Sequence, residues 1–196
     1  MGNTVVSSWN DFDPLKHAIV GRADFTCIPP TEPATEAKIP EDSDMRGMWG
    51  PRPLETVERA NYQLDTLAGL LESRGVRVDR PEPLQWNQAV MTPDFSTGSS
   101  FGCMPPRDVL LTVGKEILSA PMSFRCRFWE YLAYHSLMQK YFDEDPEFRW
   151  EQAPRPRLSD AAYKAGYFDE ITIEERLERT AELDFVTTEH EPLFDA

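Results

Sequence analysis

The chain has 196 residues, 40% of them hydrophobic, and its 34 acidic and 20 basic side chains give a formal net charge of −14. A chain of this length and hydrophobic content can form one compact domain with a real core, so wholesale disorder is not expected. The negative charge disfavours a nucleic-acid backbone or an anionic membrane as a partner, and no run approaches the ~20 apolar residues of a membrane-spanning helix.

The first part of the chain predicts a strand, a long loop, a helix and a second strand. Residues 15–21 are a short apolar run closed by glycine, which is typical of a buried strand. Residues 24–53 are rich in proline and acidic side chains and predict a long loop, either functional or a disordered excursion. Apolar residues at helical spacing then follow Pro53 and stop at Gly75, and residues 76–79 are a strand candidate.

The middle of the chain predicts a ββαβ unit. Residues 109–113 and 117–118 flank a short turn around Gly114, as in a tight hairpin. Ser123 is a suitable N-cap for an aromatic-rich helix over about 124–142, which should be heavily buried. Residues 148–151 are suited to the returning strand.

The last part predicts a short charged helix and one more strand. Thr172 and Glu175 have the spacing of a capping box, opening a helix that ends at about residue 183. Residues 185–188 predict a strand, and the acidic residues after it have no further element to join.

The first candidate for chemistry is Asp108, which follows two prolines and comes directly before the hairpin. A carboxylate fixed at the mouth of a strand is suited to hold a cation or a guanidinium bidentately. The alternative is an aspartate that only caps a turn. If the binding role is correct, Asp108 should lie at a strand end and face a cavity.

A second cluster, of three carboxylates and His190, lies at residues 189–195. Its position after a predicted strand is typical of strand-end active sites, and a solvated acidic tail is the alternative. The spacing matches no metal motif. A third polar stretch, residues 92–98, predicts a loop with an Asx-type turn, and a position near a pocket would give it a functional role.

The histidines and cysteines suggest structural roles. His17 and His135 lie in or beside apolar segments, and Cys103 has no basic neighbour that would lower its pKa, so we interpret it as a packed thiol. Three cysteines without a CxxC spacing predict neither a disulfide scaffold nor a zinc site and favour a reducing cytoplasm.

Together the segments resemble the glycine amidinotransferase family, in order and over nearly the whole chain. The matching stretches are WNDFDPL at 9–15, IVGRA at 19–23, GVRVDRP at 75–81, TPDF at 92–95, PRDVL at 106–110, APMSFR at 120–125 and FVTTEHEPLFDA at 185–196. Any one stretch is weak, and their common order makes the resemblance specific.

The resemblance implies a pseudo-symmetric α/β propeller of the pentein type, built of ββαβ units around a substrate channel. It also implies an activity in which a cysteine thiolate attacks the guanidino carbon of L-arginine and an acceptor amine, of the glycine or lysine type, then takes the amidino group. By their place in the motifs, Asp108 corresponds to a carboxylate that binds the guanidinium and Asp195 to the aspartate that orients the catalytic histidine. No cofactor and no metal are implied.

The family's catalytic histidine and cysteine come after the segment that matches Asp195, so we expect residues 1–196 to be the N-terminal portion of one amidinotransferase domain, inactive alone. Its expected partners are L-arginine, an acceptor amine, and a second copy or the missing C-terminal portion, in the cytoplasm. The alternatives are a non-catalytic arginine-binding or interaction protein derived from that fold, and an arginine hydrolase of the same superfamily.

Overall fold

Short strands and helices alternate along the chain in the computed structural model, which describes residues 4–36, 47–167, 172–182, 184–188 and 190–196. The strands are β1 (His17–Ile19), β2 (Cys27–Ile28), β3 (Gly50–Pro51), β4 (Arg77–Asp79), β5 (Val90–Met91), β6 (Ser96–Thr97), β7 (Leu110–Val113), β8 (Glu116–Ser119) and β9 (Arg149–Gln152). The α-helices are α1 (Pro33–Glu36), α2 (Leu54–Ser73), α3 (Pro106–Val109), α4 (His135–Glu144) and α5 (Ile173–Ala181). The fold class is therefore α/β, as expected.

The first unit is a pair of parallel strands joined by a helix. β1 pairs with β4, with His17 opposite Arg77 and Ile19 opposite Asp79, and α2 makes the crossover that parallel strands require. Gly75 follows α2 with a φ of +79°, the left-handed conformation that ends many helices. The predicted strand, helix and strand are confirmed.

The second unit is the three-stranded sheet β7-β8-β9. β7 and β8 form an antiparallel hairpin whose turn contains Gly114 at a φ of +58°, and β9 returns parallel to β8 after α4. The predicted ββαβ unit is confirmed.

The helix inside this unit differs from the prediction. The segments Arg125–Arg127 and Glu130–Tyr134 are 3₁₀ turns, α4 begins only at His135, and no side chain caps the first turn, so the proposed Ser123 cap is wrong. The reason is that Phe124, Phe128 and Tyr134 are buried in three different apolar clusters, which one straight helix would not reach.

The main core lies between the hairpin and α4. Its largest fully buried side chains include Tyr134, Tyr141, Phe148 and Met138, packed with Val109 and Ile117 of the hairpin side. This core holds the segment that precedes β7, where Asp108 lies.

A network of charged and polar side chains links the two units at Asp79. Its Oδ2 lies 2.8 Å from Nε2 of His17 and accepts a hydrogen bond of 3.0 Å from Tyr141, and its Oδ1 accepts one of 3.1 Å from Lys140. Burial alone would raise the pKa of Asp79, but these bonds outweigh it and lower the pKa to about 2. Arg77 adds a bidentate pair with Glu144 of α4 at 2.6 and 3.1 Å.

The predicted loop at 24–53 contains β2, β3 and α1 where it is described, and residues 37–46 lie outside the described part. β2 and β3 form a short antiparallel pair. The loop is thus partly ordered by its own strand pairing.

The capping box is confirmed, but the strand predicted after it is wrong. Thr172 N–H donates to Glu175 Oε2 at 2.7 Å, Glu175 N–H donates to Thr172 Oγ1 at 3.2 Å, and α5 ends at Ala181. Residues 185–188 make only an isolated bridge, between Thr187 and Tyr163. The bridge partner Tyr163 is extended, but it directly follows a 3₁₀ turn, Asp160–Ala162. Within the described residues, no helix combines the length and apolarity needed to cross a membrane.

Candidate functional site

Asp108 lies in α3, one residue before β7. Two prolines set the start of α3, the Asp108 N–H donates to Pro105 O at 3.2 Å, and the next residue, Val109, is anchored in the core. The Asp108 side chain is 23% exposed. The carboxylate is thus fixed at the entry to the strand while it keeps contact with solvent.

Arg127 binds Asp108 from the interior of the protein. Its Nη1 donates to Asp108 Oδ2 at 3.1 Å, while Nε and Nη2 donate to the two oxygens of Glu130 at 2.6 and 3.0 Å. The Arg127 side chain is 9% exposed and that of Glu130 is 1% exposed. One oxygen of Asp108 thus already accepts a hydrogen bond from an internal guanidinium, and the bidentate binding of a ligand stays a prediction.

Burial and the hydrogen bonds between Arg127 and Glu130 together set the protonation of this pair. It raises the pKa of Glu130 to about 7 against the opposing pull of Arg127, and the negative charges of Asp108 and Asp195 add to the rise. For Arg127, burial opposes the positive charge, but the hydrogen bonds to Glu130 outweigh it and raise the pKa. The guanidinium therefore stays charged.

The chain brings Asp195 to the same place. The N–H of Ala196 donates to the backbone oxygen of Asp108 at 2.8 Å, and Ala196 packs against the main core. The Asp195 side chain is exposed, and its charge acts on the buried Glu130. The two residues predicted for the site, 87 positions apart in sequence, are thus neighbours around Arg127 and Glu130.

Of the other predicted cluster residues, the described ones have surroundings of their own. Glu189 lies outside the described residues and His190 is exposed. Glu191 accepts the backbone N–H groups of Arg157 and Leu158 at 2.7 and 2.9 Å, so it fixes a neighbouring loop. It is not a freely solvated carboxylate.

The polar turn at residues 92–98 is organised by a threonine hydroxyl, where an Asx-type turn was expected. Thr92 Oγ1 accepts the N–H groups of Asp94 and Phe95 at 3.3 and 3.1 Å, and β5 and β6 pair across it. Asp94 accepts a hydrogen bond of 2.9 Å from Arg157. The turn therefore has a structural explanation in its own contacts.

All three cysteines are buried free thiols. Burial raises the pKa of Cys27, raises that of Cys103 to about 12, and raises that of Cys126 well above its ordinary value. A thiol with a raised pKa carries almost no thiolate at neutral pH, and the thiolate is the nucleophile. The packed-thiol interpretation of Cys103 fits these surroundings.

The two histidines in or beside apolar segments have structural contacts of their own. His17 binds Asp79 and Val5, and the ring of His135 stacks edge-on against Trp150. Among the described residues, no three His, Cys, Asp or Glu side chains form a group that could hold a metal ion. Two surface depressions, one beside Tyr163 and one beside Phe185, are lined by neither Asp108 nor Asp195. A cavity in front of Asp108 stays a prediction.

Sequence reasoning missed Arg127 and Glu130. The available signal was their i, i+3 spacing within a segment full of aromatic residues, because two opposite charges in a segment expected to be heavily buried are normally paired.

The chain is similar in sequence to known amidinotransferases over nearly its whole length. The chain is 40% identical over 97% of its length to the mitochondrial glycine amidinotransferase of Danio rerio, and 37% identical over 97% to the L-arginine:L-lysine amidinotransferase of Pseudomonas savastanoi pv. phaseolicola. It covers 45% and 51% of these two proteins, so it spans about half the length of the curated relatives it matches. No protein-family model matches the chain.

Two solved structures with a similar fold are also amidinotransferases. An amidinotransferase of the saxitoxin biosynthetic pathway from Microseira wollei superposes with a TM-score of 0.79 at 34% identity, over 97% of this chain and 50% of that one. An inosamine-phosphate amidinotransferase from Streptomyces griseus gives 0.79 and 34%, over 99% of this chain and 52% of that one. The α/β fold described above therefore matches half of each enzyme.

Proposed function

Because the chain is homologous over nearly its entire length to glycine amidinotransferases and to an arginine:lysine amidinotransferase, we propose that it serves to transfer the amidino group of L-arginine to an acceptor amine. The observation that carries the proposal within the structure is the meeting of Asp108 and Asp195, through the 2.8 Å bond from Ala196 N–H to the Asp108 carbonyl. The names of the relatives support an acceptor of the glycine or lysine type.

In the proposed reaction a cysteine thiolate forms a bond to the guanidino carbon of L-arginine. The bond from that carbon to the ornithine nitrogen then breaks, and a histidine gives the leaving amine its proton. The acceptor amine next attacks the amidino-cysteine, the histidine takes a proton from it, and the thiolate leaves. Asp108 binds the guanidinium, and Asp195 orients the histidine.

Neither reactive group is assigned to this chain. The motif positions of the family's histidine and cysteine lie after Asp195, and the surroundings of Cys27, Cys103 and Cys126 raise their pKa values, which opposes nucleophilic attack. We therefore propose that residues 1–196 act with a further portion that supplies both groups and completes a propeller of ββαβ units. A homodimer and a cytoplasmic location also stay predictions; the vertebrate relative named above is described as mitochondrial.

Two measurements on the 196-residue chain test this proposal. Titration of the ¹⁵N-labelled protein with L-arginine should shift backbone amide signals around Asp108 and Asp195, and Asp108→Asn should weaken the binding. Incubation with L-arginine and a panel of amines should release no ornithine above a blank without protein.

Two results would contradict the proposal. Arginine binding that is absent, or that Asp108→Asn leaves unchanged, would remove the substrate site. Ornithine release that is abolished by cysteine alkylation would show that a cysteine of this chain is the nucleophile.

A further inference from the structure

Each of the three guanidinium nitrogens of Arg127 donates a hydrogen bond. Nε and Nη2 donate to Glu130 at 2.6 and 3.0 Å, and Nη1 donates to Asp108 at 3.1 Å. The ring of Phe101 lies 5.5 Å from the guanidinium carbon. A planar fork with these contacts has one orientation, so the direction from which it reaches Asp108 is fixed.

Asp108 consequently has one oxygen that accepts no hydrogen bond from Arg127. Oδ2 accepts the bond from Arg127, whereas Oδ1 lies 3.6 Å from Nε of Arg107. The Arg107 side chain is 90% exposed, and an exposed contact longer than a hydrogen bond contributes little. Oδ1 is therefore open to a cation that arrives from solvent.

We infer that Arg127, held by Glu130, is a positioning residue that fixes the direction of the Asp108 carboxylate and leaves its Oδ1 to accept a ligand guanidinium. The inference rests on the proposed function, in which Asp108 binds the guanidinium of L-arginine. One carboxylate is then shared by an internal guanidinium and an external one. Arg127 itself touches no ligand.

The charges around Arg127 explain why such a residue is needed. The negative charges of Asp108 and Asp195 act on Glu130, and Arg127 is the cation that pairs with both Glu130 and Asp108. Without it, the partly exposed carboxylate of Asp108 loses its hydrogen bond to the buried Arg127 and can rotate toward solvent. Two effects of removing Arg127 then oppose each other: Asp108 gains a free acceptor position at Oδ2 but loses its fixed direction.

The test is therefore whether removal of Arg127 weakens or strengthens the binding of L-arginine. In the double variant Arg127→Met/Glu130→Met, both members of the buried pair become apolar, a change that proteins often tolerate, whereas a single Arg127→Met leaves Glu130 buried without a partner. If Arg127 positions Asp108, the double variant binds L-arginine about tenfold more weakly than the wild type, since a well-aligned charge-assisted hydrogen bond is lost. If Arg127 only competes for Asp108, binding becomes tighter.

The matched control is Arg125→Lys, compared with Arg127→Lys. Arg125 lies in the same 3₁₀ turn and is also nearly buried, but it contacts Leu158 and Asp160, away from Asp108. Arg127→Lys should retain the charge yet lose most of the affinity, whereas Arg125→Lys should bind L-arginine as the wild type does. Thermal unfolding and the amide spectrum confirm that each variant is folded.

A spectroscopic signal separates positioning from a purely structural role. Addition of L-arginine to the wild type should shift the ¹H–¹⁵N signal of Arg127 Nη1, because this nitrogen donates to the carboxylate that is shared with the ligand, and Asp108→Asn should abolish that shift. Binding that depends on Asp108 but is unchanged or tighter in the double variant overturns the positioning role and leaves the proposed function intact. Binding that does not depend on Asp108 overturns both.

Discussion

Gly21 lies where the end of β1 meets the segment leading to Asp108, and replacing it with alanine is the sharpest test of that packing. A Cβ at this position would lie 2.0 Å from the Met104 oxygen, 2.5 Å from the Met104 carbonyl carbon and 2.6 Å from the Cys103 oxygen. Gly21 does not have a left-handed φ, so the cost is steric. Since ordinary contact begins at 3.4 Å, the backbone segments would have to separate by about 1.4 Å.

Such a separation also affects neighbouring bonds. The Cys103 oxygen accepts the Arg22 N–H at 3.4 Å and the hydroxyl of the buried Tyr134 at 3.1 Å. Overpacking typically costs 1–3 kcal/mol and a lost hydrogen bond about 1, so we expect Gly21→Ala to lower the free energy of unfolding by about 3 kcal/mol. The midpoint of thermal unfolding should fall by roughly 10 °C.

Urea unfolding followed by circular dichroism measures the effect, with Gly69→Ala as the matched control. Gly69 is exposed in the middle of α2, and a Cβ there meets nothing within 4 Å, so this change should stabilise the protein by roughly 0.5–1 kcal/mol. A Gly21→Ala protein within about 1 kcal/mol of the wild type would refute the close approach of the two backbone segments.

Three further predictions concern buried polar groups, each measured by urea unfolding. Burial raises the pKa of Glu32 to about 7 from 4.5, so the contribution of Glu32 to the free energy of unfolding is complete below about pH 4.5 and is lost as the pH rises through 7. Glu32→Gln should remove this pH-dependent loss, which is on the order of 3 kcal/mol, and a free energy of unfolding with the same slope between pH 5 and 8 in both proteins would contradict this. The pKa of Asp79 is lowered to about 2 from 3.8, so Asp79→Asn should lower the free energy of unfolding by about 2 kcal/mol at pH 7 and by little at pH 2. An equal loss at both pH values would argue against a stabilising negative charge on Asp79. Tyr134→Phe should cost about 1 kcal/mol through its bond to the Cys103 carbonyl, and a neutral result would mean that this bond contributes nothing net.

The sequence predicted those elements that local patterns define. The hairpin around Gly114, the helix between Pro53 and Gly75 and the capping box at Thr172 each depend on residues that lie close together in the chain, and all three are confirmed. The helix over 124–142 was wrong in its first half because the path there is set by three separate apolar clusters, which only the folded chain defines.

The candidate site could likewise be predicted only in part. Asp108 and Asp195 could be singled out from motifs, and the chain brings them together. The pairing of Arg127 with Asp108 crosses 19 positions and follows from the 3₁₀ turn that replaced the expected helix. This internal partner of Asp108 could not be foreseen from the motifs.

The polar network at Asp79 has a consequence for how the chain unfolds. Because its partners come from β1, β4 and α4, breaking either unit would leave a charged carboxylate of low pKa without its cationic and hydrogen-bonding neighbours. The two units are therefore energetically coupled, and partial opening of one should carry much of the cost of opening both. Slowly exchanging amide hydrogens in β4 and in α4 should thus report a common opening free energy, as expected for one cooperative folding unit.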